Sequence, residues 1–373
     1  MKDNYRNLAE EILKFAGVEI NGENPWDLQI YNEEFYRRAI TEGELGIGES
    51  YMAQWWEAEK VDQLICKILK AKLDEKIKRK FSILLRLWTA RLYNLQSKPK
   101  AFIIGEKHYY LGNDLFQNML DKRMNYSCAY WKNAGSLDEA QENKLKLICD
   151  KIQLKPGMRV LDIGCGWGAF GKYAAEKYRA DVVGITVSKE QVELGRKLCS
   201  GLPVEIRLMD YRDVNEKFDR IVSVGMIEHV GYKNYKRFFE IANKCLNDDG
   251  LFLLHTVGNN KSEKSLDLWT DKYVFPNGLL PSVAQLGKAF ENLFVMEDWH
   301  NFGADYDKTL MAWYDNFEKN WDKLKTNYSE RFYRMWKYFL LSTAGSFRSR
   351  NHNQLWQIVL SKSGIPGGYQ SFR

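Results

Sequence analysis

The stretch that decides the fold reads Val160-Leu161-Asp162-Ile163-Gly164-Cys165-Gly166-Trp167-Gly168. A short apolar run ends in a turn with glycine at alternate positions, which predicts a strand that leads directly into a helix. Glycine lets the backbone approach a ligand closely and adopt dihedral angles that a Cβ would forbid. The stretch therefore predicts a βα turn that binds a nucleotide-like ligand.

Short β-rich runs alternate with helical stretches from about Lys155 onwards, as in a parallel sheet with crossover helices. We predict seven strands, at Arg159–Ile163, Val182–Thr186, Glu205–Leu208, Arg220–Val224, Leu251–Thr256, Phe294–Trp299 and Leu355–Leu360. Because the last two strands follow a long interval, the pattern indicates an α/β fold with the doubly wound, mostly parallel seven-stranded sheet of the methyltransferase type.

The part of the chain before this alternation reads as mostly helical. Apolar residues recur at helical spacing from Asn7 to Phe15, and a longer stretch from Glu57 to Leu92 mixes charge with Leu, Ile and Trp. A polar segment with a proline, Gln96–Lys100, marks the boundary. We predict a helical N-terminal domain at 1–95, a linker with lead-in helices at 96–125, and a catalytic domain at 126–373.

Composition and charge restrict the class of protein. The net charge of +6 suits an anionic partner, although a mildly basic enzyme needs none. The charged start of the chain predicts no signal peptide, and no apolar run approaches the roughly 20 residues of a spanning helix. The 6 cysteines lack C-x-x-C pairs and the 5 histidines lack ligand spacing, so we expect a cytoplasmic protein with reduced thiols and no metal.

The ligand of the glycine turn follows from what comes after it. A dinucleotide enzyme needs an acidic residue at the end of the second strand, but Gly184–Ser188 has no carboxylate. After the third strand, Asp210 can accept from an adenine amino group and Tyr211 can stack on the ring, although Asp210 could equally cap a helix. Together with the glycine turn, this pair predicts S-adenosylmethionine binding.

Four further blocks carry a family resemblance. They are Tyr126-Ser127-Cys128-Ala129-Tyr130-Trp131, Gly225-Met226-Ile227-Glu228-His229-Val230-Gly231, Leu254-His255-Thr256-Val257-Gly258 and Asn301-Phe302-Gly303-Ala304-Asp305-Tyr306. In this order they resemble the cyclopropane fatty-acyl-phospholipid and mycolic acid cyclopropane synthases, a family of class I methyltransferases. The Glu-His-Val triplet alone is common among methyltransferases, so the order of the blocks carries the resemblance, which spans about Gly105 to Leu360.

The resemblance implies a reaction and its residues. The methyl group of S-adenosylmethionine, the cosubstrate, becomes a methylene bridge across a cis double bond of a phospholipid acyl chain, and bound bicarbonate deprotonates the carbocation. The implied bicarbonate ligands are Cys128, Glu228, His255, Tyr306 and the backbone N–H of Val257. Taken singly, the cysteine could be a small buried hydrophobe, the histidine a core residue, the tyrosine a packing residue and the glutamate a helix cap.

The turn and the resemblance together give the predicted cosubstrate contacts. They are Tyr126, Ser127, Asp162, Gly164, Cys165, Gly166, Gly168, Thr186, Val187, Gln191, Asp210 and Tyr211. The chain departs from the family at two positions, with Tyr110 where Asp is common and Thr343 where some members carry Cys. A nucleophilic thiol at the second position cannot be required here.

Two surfaces remain for the lipid. Aromatic residues recur at helical spacing over Trp313–Tyr328 and Phe332–Phe339, as a core or as a cover over an acyl cavity. Basic residues cluster between Lys70 and Lys80, either as a solvated face or as a docking face for anionic head groups. We expect a peripheral enzyme at the inner membrane face, with unsaturated phospholipid as partner and no nucleic acid; a homodimer is compatible with the sequence.

Two alternatives remain open. A methyltransferase could make a branched methyl lipid or act on another substrate, although an Asn-Pro-Pro-Tyr-type motif is absent after the fourth strand. A non-catalytic lipid-binding protein could keep the fold, but its glycine turn and the Glu228 and His255 positions would have no reason to be intact.

Overall fold

The computed structural model describes residues 2–73 and 111–373. Its strands are β1 (Gln29–Ile30), β2 (Trp56–Glu57), β3 (Arg159–Ile163), β4 (Asp181–Thr186), β5 (Val204–Leu208), β6 (Phe218–Val224), β7 (Leu246–Asn259), β8 (Val295–Asn301) and β9 (Asn353–Ser361). Strands β1 and β2 form a short antiparallel pair, and the other strands form one sheet.

The large sheet has seven strands in the order β5-β4-β3-β6-β7-β9-β8. Neighbours from β5 to β7 are parallel, whereas β9 runs antiparallel to both β7 and β8. All seven predicted strands are confirmed, with small differences at their ends. The largest difference is at β7, which begins at Leu246 instead of Leu251, because its turn-like residues Asn247–Gly250 pair irregularly with β6.

The helices connect these strands and form the N-terminal part. They span Lys2–Lys14, Glu34–Glu42, Glu44–Met52, Val61–Lys70, Asn113–Met119, Leu137–Lys151, Ala169–Tyr178, Lys189–Leu198, Tyr235–Cys245, Leu268–Tyr273, Val283–Phe290, Ala304–Leu324 and Glu330–Ser349. Several begin where a side-chain oxygen accepts a backbone N–H of the first turn, as at Ser136, Ser188 and Ser282.

Helices cover both faces of the large sheet. On one face, Val160 and Val222 pack with apolar side chains of the Leu137–Lys151 and Ala169–Tyr178 helices. On the other face, side chains such as Leu161 pack with the Tyr235–Cys245 and Val283–Phe290 helices. The strands are therefore buried on both sides, as parallel strands usually are.

The chain divides into two compact units. The described residues up to Leu115 form the first unit with Leu266–Pro276 and Trp313–His352, and the remainder forms the second unit around the large sheet. Residues 2–73 confirm the expected helical character, although Glu57, expected to begin a helix, pairs with Gln29 in the β1–β2 pair. The rest of the expected stretch, 74–92, lies outside the described residues. The predicted domain limits stay a prediction, since much of 96–125 lies outside the described residues.

The C-terminal aromatic stripes form part of the core of the first unit. Trp313, Phe317, Phe332 and Trp336 are at most 1% exposed. The Glu330–Ser349 helix packs along the Val61–Lys70 helix. The described residues include no helix with the length and hydrophobicity needed to cross a bilayer.

Candidate active site

The glycine turn joins β3 to the Ala169–Tyr178 helix with three residues at positive φ. A Cβ on Gly164 (φ +84°) would lie 2.7 Å from the Met226 side chain, and one on Gly168 (φ +85°) would lie 2.8 Å from Ile206. A Cβ on Gly166 (φ +56°) would meet no protein atom within 4 Å. The outer two glycines thus permit close packing, and the middle one leaves open space beside the turn.

A cavity of about 470 Å³ lies at this turn, in the second unit. Its lining includes eleven of the twelve predicted cosubstrate residues, namely Tyr126, Ser127, Asp162, Gly164, Cys165, Gly166, Thr186, Val187, Gln191, Asp210 and Tyr211. The exception is Gly168, which is the N-cap of the following helix instead. The cavity thus lies at the carboxyl ends of parallel strands, where open α/β sheets bind ligands.

Asp210 both lines the cavity and caps a short 3₁₀ turn. Its carboxylate accepts from the Arg212 backbone N–H at 2.9 Å and from the Arg212 guanidinium at 2.6 and 2.8 Å. These bonds hold the pKa of Asp210 below its ordinary value. Asp210 can therefore both cap the turn and contact a ligand in the cavity. The sequence did not indicate its neighbour Arg212. The Tyr211 ring packs edge-on against Phe238, with centroids 5.4 Å apart.

Lys144 is a buried cation in the cavity lining that sequence reasoning missed. Its ammonium donates to Asn125 Oδ1 at 2.8 Å and to Ser127 Oγ at 2.9 Å. Burial lowers the pKa of Lys144 to about 8 and raises that of Asp162 to about 7, and each moderates the shift of the other. The available signal was helical spacing, because Lys144 lies four residues after the fully buried Ala140.

Glu228 follows β6 in a 3₁₀ turn and is buried. Its Oε1 accepts from the backbone N–H of Val257 at 2.8 Å. Its Oε2 is buried without a hydrogen-bond partner in the part of the chain that the structure describes. Burial raises the pKa of Glu228 to about 7, while its own backbone N–H, the Val257 N–H and the Thr256 hydroxyl oppose that shift. The site thus holds a buried acceptor whose protonation changes near neutral pH.

His255 on β7 supplies a buried nitrogen that also lacks a partner in the described part of the chain. Its Nδ1 lies 3.3 Å from the amide nitrogen of Gln357. Its Nε2 is buried and makes no hydrogen bond to any described residue. Burial lowers the pKa of His255 well below its ordinary value, so the ring is neutral at physiological pH. An edge-to-face contact with Phe302, with centroids 5.9 Å apart, packs the ring.

Cys128 and Tyr306 complete the predicted set. The Cys128 thiol is fully buried and lies 3.2 Å from the carbonyl oxygen of Ala129. Tyr306 is half-buried, and burial raises the pKa of its hydroxyl well above the ordinary value, as do the neighbouring Cys128, Tyr126 and Glu228. Burial likewise raises the pKa of Cys128. The structure therefore places Tyr306 near both Cys128 and Glu228, and burial favours the protonated form of Cys128 and of Tyr306. None of the side chains of Cys128, Glu228, His255 and Tyr306 is among those that line the cavity at the glycine turn.

The first turns of the Ala304–Leu324 helix hold the Cys128 segment in place. Thr309 Oγ1 accepts from the Ala129 N–H at 3.1 Å and from the Trp131 indole at 2.9 Å. The Trp131 backbone N–H donates to Asp305 Oδ2 at 2.8 Å. Sequence reasoning missed Thr309, because its two partners lie about 180 residues earlier in the chain.

The remaining predicted features lie elsewhere. Thr343 is a half-buried residue of the Glu330–Ser349 helix in the first unit, and Tyr110 lies outside the described residues. No three His, Cys, Asp or Glu side chains come together as a metal site within residues 2–73 and 111–373.

Comparisons with known proteins agree with this geometry. Residues 96–358 match the family described as mycolic acid cyclopropane synthetase. The chain is 53% identical to the cyclopropane-fatty-acyl-phospholipid synthase of Escherichia coli (strain K12) over 371 aligned residues. The alignment covers 100% of this chain and 97% of that protein.

Two solved structures share the fold, each with a TM-score of 0.64. Each superposition covers 68% of this chain and 96% of the chain in the solved structure. The two structures are the cyclopropane synthase MmaA2 from Mycobacterium tuberculosis, at 31% identity, and the mycolic acid cyclopropane synthase CmaA1 complexed with SAH and CTAB, at 32% identity. These likenesses confirm the predicted fold class and the resemblance found in the sequence.

Proposed function

Because the chain belongs to the mycolic acid cyclopropane synthetase family and is an S-adenosylmethionine-dependent methyltransferase, we propose that it makes cyclopropane rings in phospholipid acyl chains. The methyl carbon of the cosubstrate would become a methylene bridge across a cis double bond. The full-length similarity to the Escherichia coli enzyme, whose name includes fatty-acyl-phospholipid, supports this substrate class.

One observation supports the catalytic part of the proposal: a buried acceptor on Glu228 and a buried donor on His255 both lack partners among the described residues. The two residues are linked through Val257, which follows His255 by two positions on β7 and donates its N–H to Glu228. Glu228 Oε2 can accept a hydrogen bond and His255 Nε2–H can donate one. A small anion with one hydroxyl group satisfies both, since its O–H would donate to the carboxylate and its charged oxygen would accept from the imidazole. Bicarbonate has this form, and it would accept the proton lost when the ring closes.

The other residues orient and shield this pair. Cys128 and Tyr306 stay protonated at neutral pH, so neither would act as a nucleophile. The Tyr306 hydroxyl would donate to the anion, and the Cys128 thiol, which donates to the Ala129 carbonyl in this structure, would rotate to do the same. The Val257 N–H, expected from the resemblance to bind the anion, donates to Glu228 in this structure. We therefore assign Val257 to holding the carboxylate. The burial of these groups would keep water away from a carbocation.

The product decides the proposed function. Expression in a bacterial host that lacks cyclopropane lipids should convert unsaturated acyl chains into products heavier by one methylene unit, detected by mass spectrometry. Proton NMR of the extracted lipids should then show cyclopropane protons. Branched methyl groups in the spectrum would assign the chain to the alternative reaction, and unchanged acyl chains would contradict lipid modification altogether.

Glu228→Gln tests the role of the acceptor. The variant should bind S-adenosylmethionine normally and lose roughly 10²–10⁴-fold in turnover, since positioned acid–base groups contribute on that order. Rigorous removal of dissolved carbonate should lower the turnover of the unmodified enzyme, and added bicarbonate should restore it. Activity that is indifferent to both treatments would exclude bicarbonate as the base.

A further inference from the structure

A row of three polar side chains crosses the large sheet beside the candidate active site. His255 on β7 pairs with Gln357 on β9, and Gln357 pairs in turn with His300 on β8. Gln357 is completely buried. A buried amide between two imidazole rings has few ways to satisfy its hydrogen-bonding groups, so its orientation is strongly restricted.

The histidine on the far side is occupied by another partner. The buried Lys151 ammonium lies 3.1 Å from His300 Nδ1 and 3.2 Å from the Asp298 carboxylate. An ammonium can only donate, so His300 Nδ1 accepts from it. That nitrogen is therefore unavailable to Gln357, and the amide of Gln357 serves His255.

The orientation of the amide decides which nitrogen of His255 carries the proton. The Gln357 amide nitrogen lies 3.3 Å from Nδ1, and an amide nitrogen can only donate. Nδ1 then accepts, and the proton lies on Nε2. The reversed amide would leave both of its N–H groups without partners among the described residues. The present arrangement uses one of them, and leaves Gln357 Oε1 and the His255 Nε2–H donor, which faces the site, without partners there.

We propose that Gln357 is a positioning residue that fixes His255 in the Nε2–H tautomer, so that the imidazole donates into the site and does not accept. The catalytic consequence of this assignment rests on the proposed function, because a donor is what an anion beside Glu228 requires. The tautomer itself is a property of the protein without substrate. It can therefore be measured separately from activity.

Nitrogen NMR of protein labelled at histidine measures the tautomer directly. The ring signals of His255 are assigned as those that disappear in His255→Asn. In the unmodified protein we expect a protonated Nε2 and an unprotonated Nδ1. Gln357→Met should remove this preference, and Gln357→Glu should reverse it, because a carboxylate accepts from Nδ1–H.

Turnover should follow the tautomer. We expect both variants to lose roughly 10²-fold or more in kcat, as misoriented catalytic histidines do, with little change in the KM for S-adenosylmethionine. Gln354→Met, the same substitution three residues earlier on β9, is the matched control and should keep the His255 signals unchanged.

The outcomes separate this proposal from the proposed function. A protonated Nδ1 on His255 in the unmodified protein would overturn the positioning role of Gln357. This measurement needs no variant, so it does not depend on whether a variant folds. A reversed tautomer with full activity in Gln357→Glu would also overturn that role. If the tautomers behave as expected but the unmodified protein leaves acyl chains unchanged, the proposed function fails and the positioning role stands.

Discussion

The Glu228 carboxyl group is costly to ionise where it lies. One of its oxygens is held by the Val257 N–H and the other is buried without a partner among the described residues. The folded-state pKa of about 7 is above the ordinary 4.5, so folding favours the protonated form. This contribution to stability is fully present below pH 4.5 and is lost as the pH rises through 7.

Glu228→Gln should therefore stabilise the protein above neutral pH. The substitution removes the cost of a buried charge, which is roughly 1–3 kcal/mol for a shift of this size. The gain in the free energy of unfolding should be largest near pH 8 and should shrink as the pH falls below 7. Urea denaturation at several pH values measures it.

The matched control is Glu49→Gln in the first unit. Hydrogen bonds from Lys272 and Arg38 hold the pKa of Glu49 at about 2, so its loss should destabilise the protein at every pH from 6 to 8. If the gain in the free energy of unfolding of Glu228→Gln does not depend on pH, the pKa of Glu228 is not raised as described.

A side chain at Gly166 would meet no protein atom within 4 Å of its Cβ, so a substitution there tests ligand binding without a clash inside the protein. Gly166→Val should abolish S-adenosylmethionine binding, because the side chain would enter the cavity at the turn. Titration calorimetry measures the affinity. Gly201→Val is the control for backbone strain, since Gly201 also has positive φ and open space but does not line the cavity. Unchanged affinity in Gly166→Val would remove the turn from the cosubstrate site.

The first turns of the Ala304–Leu324 helix hold the segment that contains Cys128 in place. Thr309 gives its own proton to the Asp305 carbonyl and accepts two others, from Ala129 and Trp131. Removing this oxygen leaves both donors without their acceptor.

Thr309→Val should lower the free energy of unfolding by about 1–3 kcal/mol, as buried donors that lose their acceptor do, and should reduce turnover. Thr41→Val is the matched control, since Thr41 also donates to the carbonyl four residues earlier. Thr41→Val should lower the free energy of unfolding by less than Thr309→Val does. Equal losses in chemical denaturation would mean that the Thr309 contacts contribute little.

The elements that the sequence predicted share a local signal. Strands β3, β4 and β9 contain apolar runs and lie next to turn residues, and the residues of the glycine turn are consecutive in the sequence. The roles of Lys144, Thr309 and Gln357 come instead from contacts with residues distant in the sequence. Gln357, for example, meets His255 only because β9 inserts beside β7.

Charge and lipid access concern the molecule as a whole. The net charge is +6, which suits an anionic surface. The proposed substrate, a phospholipid acyl chain, would be reached from a bilayer surface. The docking face expected from the sequence includes Lys76, Arg79 and Lys80, which lie outside the described residues. It stays a prediction.

Vesicle sedimentation tests that surface. Binding should weaken with salt, because the Debye length falls to about 10 Å at 0.1 M, and each basic residue near an anionic membrane contributes roughly 1 kcal/mol. Charge reversal at Lys76, Arg79 and Lys80 should reduce binding without changing cosubstrate affinity. Reversal of the exposed Lys177, Lys197 and Lys236 alters the net charge equally and should have less effect. Equal binding by both variants would place docking elsewhere.

The insertion of β9 also has a consequence for synthesis on the ribosome. Gln357 follows His255 by 102 residues, so at about 5–20 residues per second it is translated roughly 5–20 s later. Throughout that interval the nascent chain contains β7 but not the strand that pairs with its outer edge. An unpaired apolar edge is a template for aggregation. Yield in the cell should therefore depend on translation speed and on chaperones that cover β7 until β9 emerges.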